Sequence, residues 1–202
     1  DWMRLSSDTL VAFVRMQADL LSQFTPQLPV TNNLRALSRN FDHFDVAQVL
    51  DFVGMDSEAT IKSRSSENAC ALDMMRSLKK TDIRTPGGGN CGFWIVEQKA
   101  GNVDWQDVNS LVRPGVVRLF TYQSISRGAT GVLYFFWRQP RFGSEKFYGG
   151  VLTHDGSGEG RIYREISQVG EEMKLLGPVL RDTRVVAEVA ILFSHENDWA
   201  QQ

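Results

Sequence analysis

Residues Phe93–Trp105, with the sequence FWIVEQKAGNVDW, decide the predicted fold. The four apolar residues 93–96 do not alternate with polar ones, which is typical of a parallel strand buried on both faces. Glu97 follows this run directly, and Trp105 lies in the loop beyond it. In parallel α/β folds the carboxyl ends of the strands bind the ligand. The stretch therefore predicts either a ligand-binding carboxylate at Glu97 or a solvated carboxylate that merely begins a loop.

The composition is that of an ordinary globular protein. The 202 residues are 42% hydrophobic and 23% charged, with a formal net charge of −2, and this length allows one sizeable core. The near-neutral charge gives no electrostatic reason to expect nucleic acid or an anionic membrane as a partner. No apolar run approaches the roughly 20 residues that span a bilayer, and we expect no signal peptide. We therefore expect a cytoplasmic location without a membrane partner.

The cysteines and the glycine-rich stretch predict neither a metal site nor a cofactor. Cys70 and Cys91 have no CxxC or cysteine–histidine spacing, so a zinc site and a disulfide framework are both unsupported, and a reduced setting is the default. The glycines at 87–89 precede a predicted strand instead of following one, and no GK[ST] ending is present. Both features argue against a phosphate-binding loop.

Helical and strand patterns alternate along the chain. Helices are predicted at 8–23, 41–50, 67–80, 115–127 and 162–176, and strands at 29–32, 51–56, 93–96, 131–137 and 185–193. This alternation indicates a parallel sheet with right-handed crossovers. Four strand–helix units in about 170 residues fit half of a (β/α)8 barrel with long loops, because a whole barrel takes about 250 residues. The alternative is a small open doubly wound sheet, although the glycine-rich turn usual after its first strand is missing.

Two blocks of the sequence resemble one known family. They are VEQKAGNVDW at 96–105 and RPGVVRLFTYQSISRGATGVLYFFWRQPRFGSEKFYGG at 113–150. These blocks resemble the MEQ-x-x-G-x-V-N-W and PG-x-x-R…YQ…WRQ…EKFH patterns of the glycoside hydrolase family 42 β-galactosidases. SSDTLVAFVRMQADLL near the start and VAEVAILFSHENDWA near the end are similar to the same family. The resemblance therefore covers almost the whole chain.

The resemblance implies a fold and an activity. The family has a (β/α)8 TIM barrel followed by a flavodoxin-like domain used in trimerisation. On that map, residues 1–180 form the C-terminal half of the barrel with strands five to eight, and residues 181–202 begin the flavodoxin-like domain. The implied activity is retaining hydrolysis of terminal β-D-galactosides through a covalent galactosyl-enzyme intermediate, without a cofactor, in a homotrimeric parent protein.

The resemblance also assigns site residues. Glu97 is the implied nucleophile, and Trp105 and Glu145 are the implied contacts to galactose. Tyr148 stands where the family has histidine, and it can donate one hydrogen bond but cannot carry a positive charge. Retaining glycosidases need a second carboxylate about 5–5.5 Å from the first. The family's acid/base glutamate and its metal-binding cysteines would lie before residue 1, so the 202 residues alone are expected to be inactive.

Several site residues also have plainer interpretations. Trp105 could be a packing residue, and Glu145 could pair with a neighbouring cation at the surface. The mechanism needs no imidazole, so His154 and His195 are expected to be solvated or structural. Tyr148, together with Glu58 at a position where the family has an aromatic segment, weakens the expected sugar pocket. The second hypothesis is therefore a non-catalytic or degenerate carbohydrate-binding chain of the same fold.

Overall fold

A computed structural model of the chain describes residues 2–57, 64–79, 92–103, 105–181 and 183–201. The helices are α1 (Trp2–Phe24), α2 (His43–Val49), α3 (Ser65–Ser77), α4 (Val116–Ser126), α5 (Arg161–Leu180) and α6 (His195–Ala200). The strands are β1 (Asn33–Arg35), β2 (Gly54–Ser57), β3 (Phe93–Lys99) and β4 (Ala129–Phe135). The predictions for Glu58, the glycines at 87–89 and Cys91 lie outside the described residues.

The described strands form one parallel sheet in the order β1-β2-β3-β4, which confirms the predicted parallel α/β arrangement. Each strand lies beside the next one along the chain, so the strand order does not reverse within this sheet. Because all four strands run in the same direction, their carboxyl ends lie at one edge. A register shift between Met55 and Asp56 places Asp56 opposite Glu97 on the neighbouring strand.

Helices cover one face of the sheet. Leu34, Met55, Phe93 and Ile95 form a buried cluster with apolar residues of α1, α2 and α3. Helix α4 joins the same face through Thr121, whose hydroxyl lies 2.9 Å from the phenolic oxygen of Tyr134. Helix α5 packs on α4, where Glu172 accepts hydrogen bonds from Arg118 and Tyr122. The hydrophobic core of the described chain therefore lies between this face and its helices.

The opposite face of the sheet, called the open face below, carries no described helix. Trp94 and Val96 are only partly buried there, and Leu133 is 50% exposed. The prediction that residues 93–96 form a strand buried on both faces is therefore wrong for the described residues. Gly131 lies beside Trp94, and a Cβ atom on this glycine would meet the indole Cδ2 atom at 2.7 Å. Only a residue without a side chain allows the Trp94 ring to approach β4 this closely.

Two helix boundaries differ from the predicted ones by four residues or more. Helix α1 begins at Trp2 instead of residue 8, and Ser7 lies inside it. The Ser7 hydroxyl is buried and accepts a hydrogen bond from the backbone N–H of Asp42 at 2.8 Å. Helix α5 continues through Pro178 to Leu180 instead of ending at residue 176. A proline close to a helix end removes one backbone donor, and the last turn can still form.

The predicted strand at 185–193 is absent, and the first predicted strand is displaced to β1. Residues 185–193 have no regular structure, and Ile191 and Leu192 are 87% and 99% exposed. A strand needs a neighbour that pairs with its backbone groups, and no described strand lies beside this segment. Helix α6 follows instead, capped by the Ser194 hydroxyl, which accepts from Asn197 N.

Helix α6 docks on the rest of the chain through a buried pair of histidines. Nε2 of His43 lies 2.9 Å from the carbonyl oxygen of Arg35, so this nitrogen carries the proton, and Nδ1 lies 3.1 Å from Nε2 of His195. Nδ1 of His195 is buried without a hydrogen-bond partner in the described chain. His195 is therefore structural, as predicted, while His154 is exposed.

The histidine pair makes stability depend on pH. Burial lowers the pKa of His43 and of His195 below the ordinary value of 6.5, although the nearby carboxylates Asp42, Glu196 and Asp198 oppose the shift in His195. The unfolded chain then binds more protons, so the free energy of unfolding falls as the pH drops below 6.5. Each histidine changes the free energy of unfolding by at most about 1.4 kcal/mol per pH unit.

Urea unfolding between pH 8 and pH 5 measures this slope. The variant His195→Gln keeps an amide that can donate to Nδ1 of His43 but does not titrate in this range. We expect the variant to have a shallower pH dependence than the unsubstituted protein. An identical slope in the two proteins would contradict the role of the pair.

The contact between Gly131 and Trp94 gives a second stability prediction. Gly131→Ala forces the indole ring against Phe52, whose ring centroid lies 5.1 Å from it, and should lower the free energy of unfolding by about 1–3 kcal/mol. The matched control is Gly170→Ala in α5, where nothing lies within 4 Å of the added Cβ atom. The control should stabilise the protein by up to about 1 kcal/mol. Equal effects in urea unfolding would refute the packing argument.

Candidate active site at the carboxyl edge of the sheet

Three polar side chains meet on the open face near the carboxyl edge of the sheet. The side-chain nitrogen Nδ2 of Asn33 donates to Oδ2 of Asp56 at 3.1 Å and to Oε1 of Glu97 at 3.3 Å. Asn33 belongs to β1, Asp56 to β2 and Glu97 to β3. The cluster therefore ties three consecutive strands together through one amide group.

Glu97 lies inside strand β3 instead of in the loop that follows it. The strand continues to Lys99, because Gln98 and Lys99 pair with Tyr134 and Phe135 of β4. Glu97 is partly buried, whereas Gln98 has no exposed surface. Gln98 lies opposite Ser57 and Tyr134, so its side chain is on the helix-covered face. The register irregularity between Ile95 and Gln98 interrupts the regular alternation of side chains in β3. Val96 and Glu97 therefore both lie toward the open face, and Gln98 does not.

The side chains of Trp105 and Tyr148 lie together. The indole Nε1–H of Trp105 donates to the hydroxyl oxygen of Tyr148 at 2.9 Å. The Tyr148 ring stands edge-on to Phe135 and Phe136, with ring centroids 5.6 Å apart in both cases. Trp105 is 48% exposed, so the packing interpretation accounts for only part of its surface.

The loop after β3 is joined to the loop after β4. The backbone N–H of Gly149 donates to the carbonyl oxygen of Asn102 at 2.7 Å, and the Asn102 amide donates to the carbonyl oxygen of Phe147. A Cβ atom on Gly149 would meet Gly101 Cα at 2.7 Å, so these backbones touch. This contact fixes Trp105 and Tyr148 relative to each other.

Glu145 is exposed in the turn after β4. Its backbone carbonyl accepts from the N–H of Tyr148 at 2.9 Å, which connects the turn to the aromatic pair. Its carboxylate forms no ion pair with Arg141 or Lys146 within the described parts of the chain. The plainer interpretation as a surface ion pair is therefore not observed. The backbone of Glu145 thus contacts Tyr148. Among the described residues, the side chain of Glu145 makes no hydrogen bond with Glu97.

The described residues offer no obvious metal site and no membrane span. No group of three or more His, Cys, Asp or Glu side chains in the described ranges is arranged to hold a metal ion. The thiol of Cys70 is exposed and free. No helix in the described part of the chain is long and apolar enough to cross a membrane.

Asn33 and Asp56 are absent from the site residues that the sequence predicts. The sequence feature that could have identified both residues is their position near the ends of consecutive strands. In a parallel sheet, polar residues near the ends of consecutive strands meet at one edge, and Asn33, Asp56 and Glu97 belong to three consecutive strands. The predicted strand at 29–32 ends before Asn33 and so leaves this residue in a loop, whereas the observed strand β1 begins with it.

A parallel sheet with adjacent carboxylates and a paired indole and phenol near its carboxyl edge has the arrangement typical of α/β proteins whose ligands bind at that edge. The family model described as β-galactosidase, glycoside hydrolase family 42, matches residues 1–176. The chain therefore belongs to glycoside hydrolase family 42.

Individual relatives agree with this assignment. The β-galactosidase BgaP of Planococcus sp. (strain L4) is 37% identical over 202 residues, which is 100% of this chain. The solved β-galactosidase of Rahnella sp. R3 superposes with a TM-score of 0.89 at 32% identity over 100% of this chain. That of Bacillus circulans sp. alkalophilus gives a TM-score of 0.86 at 36% identity over 96% of this chain.

The chain spans less than a third of these relatives. It covers 29% of BgaP, 29% of the Rahnella chain and 27% of the Bacillus circulans chain. The comparisons therefore identify the family of this chain, and the activity of a whole enzyme is a separate question.

Proposed function

We propose that this chain is the C-terminal half of the barrel of a retaining β-galactosidase, with Glu97 as its nucleophile. The observation that carries the proposal is the position of the Glu97 carboxylate. It stands on the open face near the carboxyl edge of a parallel sheet, within the VEQ block of a chain that belongs to a β-galactosidase family. The substrate class is terminal β-D-galactosides, and no cofactor is required.

The sheet supports assignment of β1 to β4 as barrel strands five to eight. A doubly wound sheet reverses its strand order and has helices on both faces. Here the order is β1-β2-β3-β4, and the helices packed with the core cluster lie on one face. In a barrel the helices form an outer ring and the other face turns inward. The open face with Trp94 and Leu133 would then be the barrel interior.

The proposed reaction follows the two-step retaining mechanism. The Glu97 carboxylate forms a bond to the anomeric carbon while the bond from that carbon to the leaving oxygen breaks. The leaving oxygen takes a proton from an acid/base glutamate, which we place in the preceding half of the barrel. Water then attacks the galactosyl-enzyme, gives its proton to the same acid/base group and releases galactose with retained configuration.

Trp105, Tyr148 and Glu145 are proposed to bind the sugar. The half-exposed indole of Trp105 offers an apolar surface to the C–H face of galactose. Tyr148 holds this indole by accepting its N–H at 2.9 Å. Glu145 carries an exposed carboxylate, and a carboxylate can accept hydrogen bonds from two adjacent hydroxyls.

The remaining proposals concern the parent protein. Residues 181–202 are proposed to begin a flavodoxin-like domain, and their exposed apolar side chains, including Ile191 and Leu192, fit a strand that pairs within such a domain. The parent protein is proposed to be a cytoplasmic homotrimer. The 202 residues alone should not catalyse efficiently, because only one carboxylate of the pair belongs to them.

The nucleophile is tested in the full-length enzyme. Glu97→Gln should reduce hydrolysis of an aryl β-galactoside by about four orders of magnitude or more, because a neutral amide cannot replace the ionised nucleophile. Labelling with an activated 2-deoxy-2-fluoro-β-galactoside should add one sugar to the peptide that contains Glu97, as detected by mass spectrometry.

The matched control is Glu171→Gln, an exposed glutamate on α5 that pairs, among the described residues, only with Lys174 and should retain full activity. Turnover near the wild-type rate in Glu97→Gln would end the assignment of the nucleophile. Galactose binding by calorimetry without turnover in the unsubstituted enzyme would instead favour the non-catalytic hypothesis.

The role of the aromatic pair is tested with Tyr148→Phe. This change removes the hydroxyl that accepts the Trp105 N–H, and a neutral hydrogen bond contributes about 0.5–1.5 kcal/mol. We therefore expect KM for the aryl galactoside to rise about 2- to 12-fold, with a smaller change in kcat. Tyr122→Phe, which removes a hydroxyl bonded to Glu172 between α4 and α5, should leave KM unchanged. An unchanged KM in Tyr148→Phe would show that the pair does not hold the sugar.

A further inference from the structure

We propose that Asn33 is a positioning residue that fixes the Glu97 carboxylate and thereby determines which of its oxygens attacks the sugar. The proposal rests on the assignment of Glu97 as nucleophile in the proposed function. Its basis is the single side-chain nitrogen of Asn33, which lies 3.1 Å from Oδ2 of Asp56 and 3.3 Å from Oε1 of Glu97.

The chemistry of the partners determines how the Asn33 amide is turned. Ionised carboxylates only accept hydrogen bonds, and a side-chain amide has two N–H donors on its nitrogen and an acceptor oxygen at the other end. The nitrogen must therefore face Asp56 and Glu97, with one N–H directed to each. The opposite orientation would place the amide oxygen against two negative oxygens.

The arrangement offsets an electrostatic cost that the sheet register creates. Asp56 and Glu97 are Cα partners on adjacent parallel strands, and like charges directly opposite each other in a sheet are destabilising. Two hydrogen bonds from one amide to two anions are charge-assisted and stronger than neutral ones. Asn33 therefore offsets part of the repulsion between the two carboxylates and orients them relative to each other.

The position of Asn33 on β1 allows its side chain to contact both Asp56 and Glu97. Asn33 is the Cα partner of Gly54 on β2, so no side chain on that strand stands opposite it. A Cβ atom at Gly54 would lie 2.7 Å from the carbonyl oxygen of Asn32 and 3.2 Å from Cγ1 of Val96. The amide can thus extend along the open face toward both β2 and β3.

Fixing one oxygen of Glu97 defines the position of the other. With Oε1 bound to Asn33, the plane of the carboxylate is set, and Oε2 is the atom that forms the bond to the anomeric carbon. The bond between that carbon and the leaving oxygen breaks in the same step, and the acid/base group protonates the leaving oxygen. A nucleophile that is free to rotate reaches the near-attack geometry less often, and a misplacement of about 1 Å can cost about 100-fold in rate.

The test compares Asn33→Ala and Asn33→Asp in the full-length enzyme. For Asn33→Ala, kcat should fall about 10- to 100-fold while KM changes less than about threefold, because the substituted side chain does not touch the sugar. Labelling of Glu97 by the activated fluorogalactoside should slow by the same factor. Asn33→Asp removes the donor and adds a negative charge, so the acid limb of its kcat/KM profile should move to higher pH.

The control is Asn32→Ala, the adjacent exposed asparagine, whose side chain forms no hydrogen bond within the described chain. It should leave kcat, KM and the pH profile unchanged. Glu97→Gln is assayed in parallel to separate this inference from the proposed function. An inactive Glu97→Gln beside fully active Asn33 variants overturns only the inference, whereas an active Glu97→Gln overturns both. A reduced kcat in Asn33→Ala with an unmoved acid limb in Asn33→Asp would indicate a merely structural residue and also overturn the inference.

Discussion

The pairing of β2 with β3 determines where the candidate site of this chain lies. The register shift between Met55 and Asp56 places Asp56 opposite Glu97 and Ser57 opposite Gln98. Because the side chains of a strand alternate between faces, a slip of one residue would move the Glu97 carboxylate into the apolar layer beneath the helices. That layer contains Ile95, which has no exposed surface. A charge moved there would cost several kcal/mol, so core packing and site geometry select the same register.

The two faces of the sheet therefore have different roles. The helix-covered face buries Leu34, Met55 and Phe93 and supplies the hydrophobic stabilisation of the described chain. The open face carries the polar cluster and the Trp94 ring, and its apolar side chains are incompletely buried. A parallel sheet normally has both faces covered. The proposed barrel half gives a physical reason for the open face. Closing a barrel would enclose Trp94 and Leu133 and direct Glu97 toward its mouth.

The sequence predicted those features that depend on local patterns. The periodicity of residues 10–24 predicts a helix, and the apolar run at 93–96 predicts β3 at nearly the correct position. The position of Glu97 and the loop that carries Trp105 follow from that strand. Residues 185–193 have an equally strong strand pattern, yet they form no strand in the structure. Strand formation requires a paired neighbour, and local patterns do not contain that information.

The cluster of Asn33, Asp56 and Glu97 could not be predicted for the same reason. Its members are separated by 23 and 64 residues from Asn33 in the chain, and only the strand order and register bring them together. Trp105 and Tyr148, 43 residues apart, were assigned to one site through family resemblance, and their hydrogen bond depends on the contact between Gly101 and Gly149. Each contact joins residues from different strands or from the loops that follow them. Residue types thus identify candidate functional groups, whereas backbone pairing determines which of these groups can act on the same ligand.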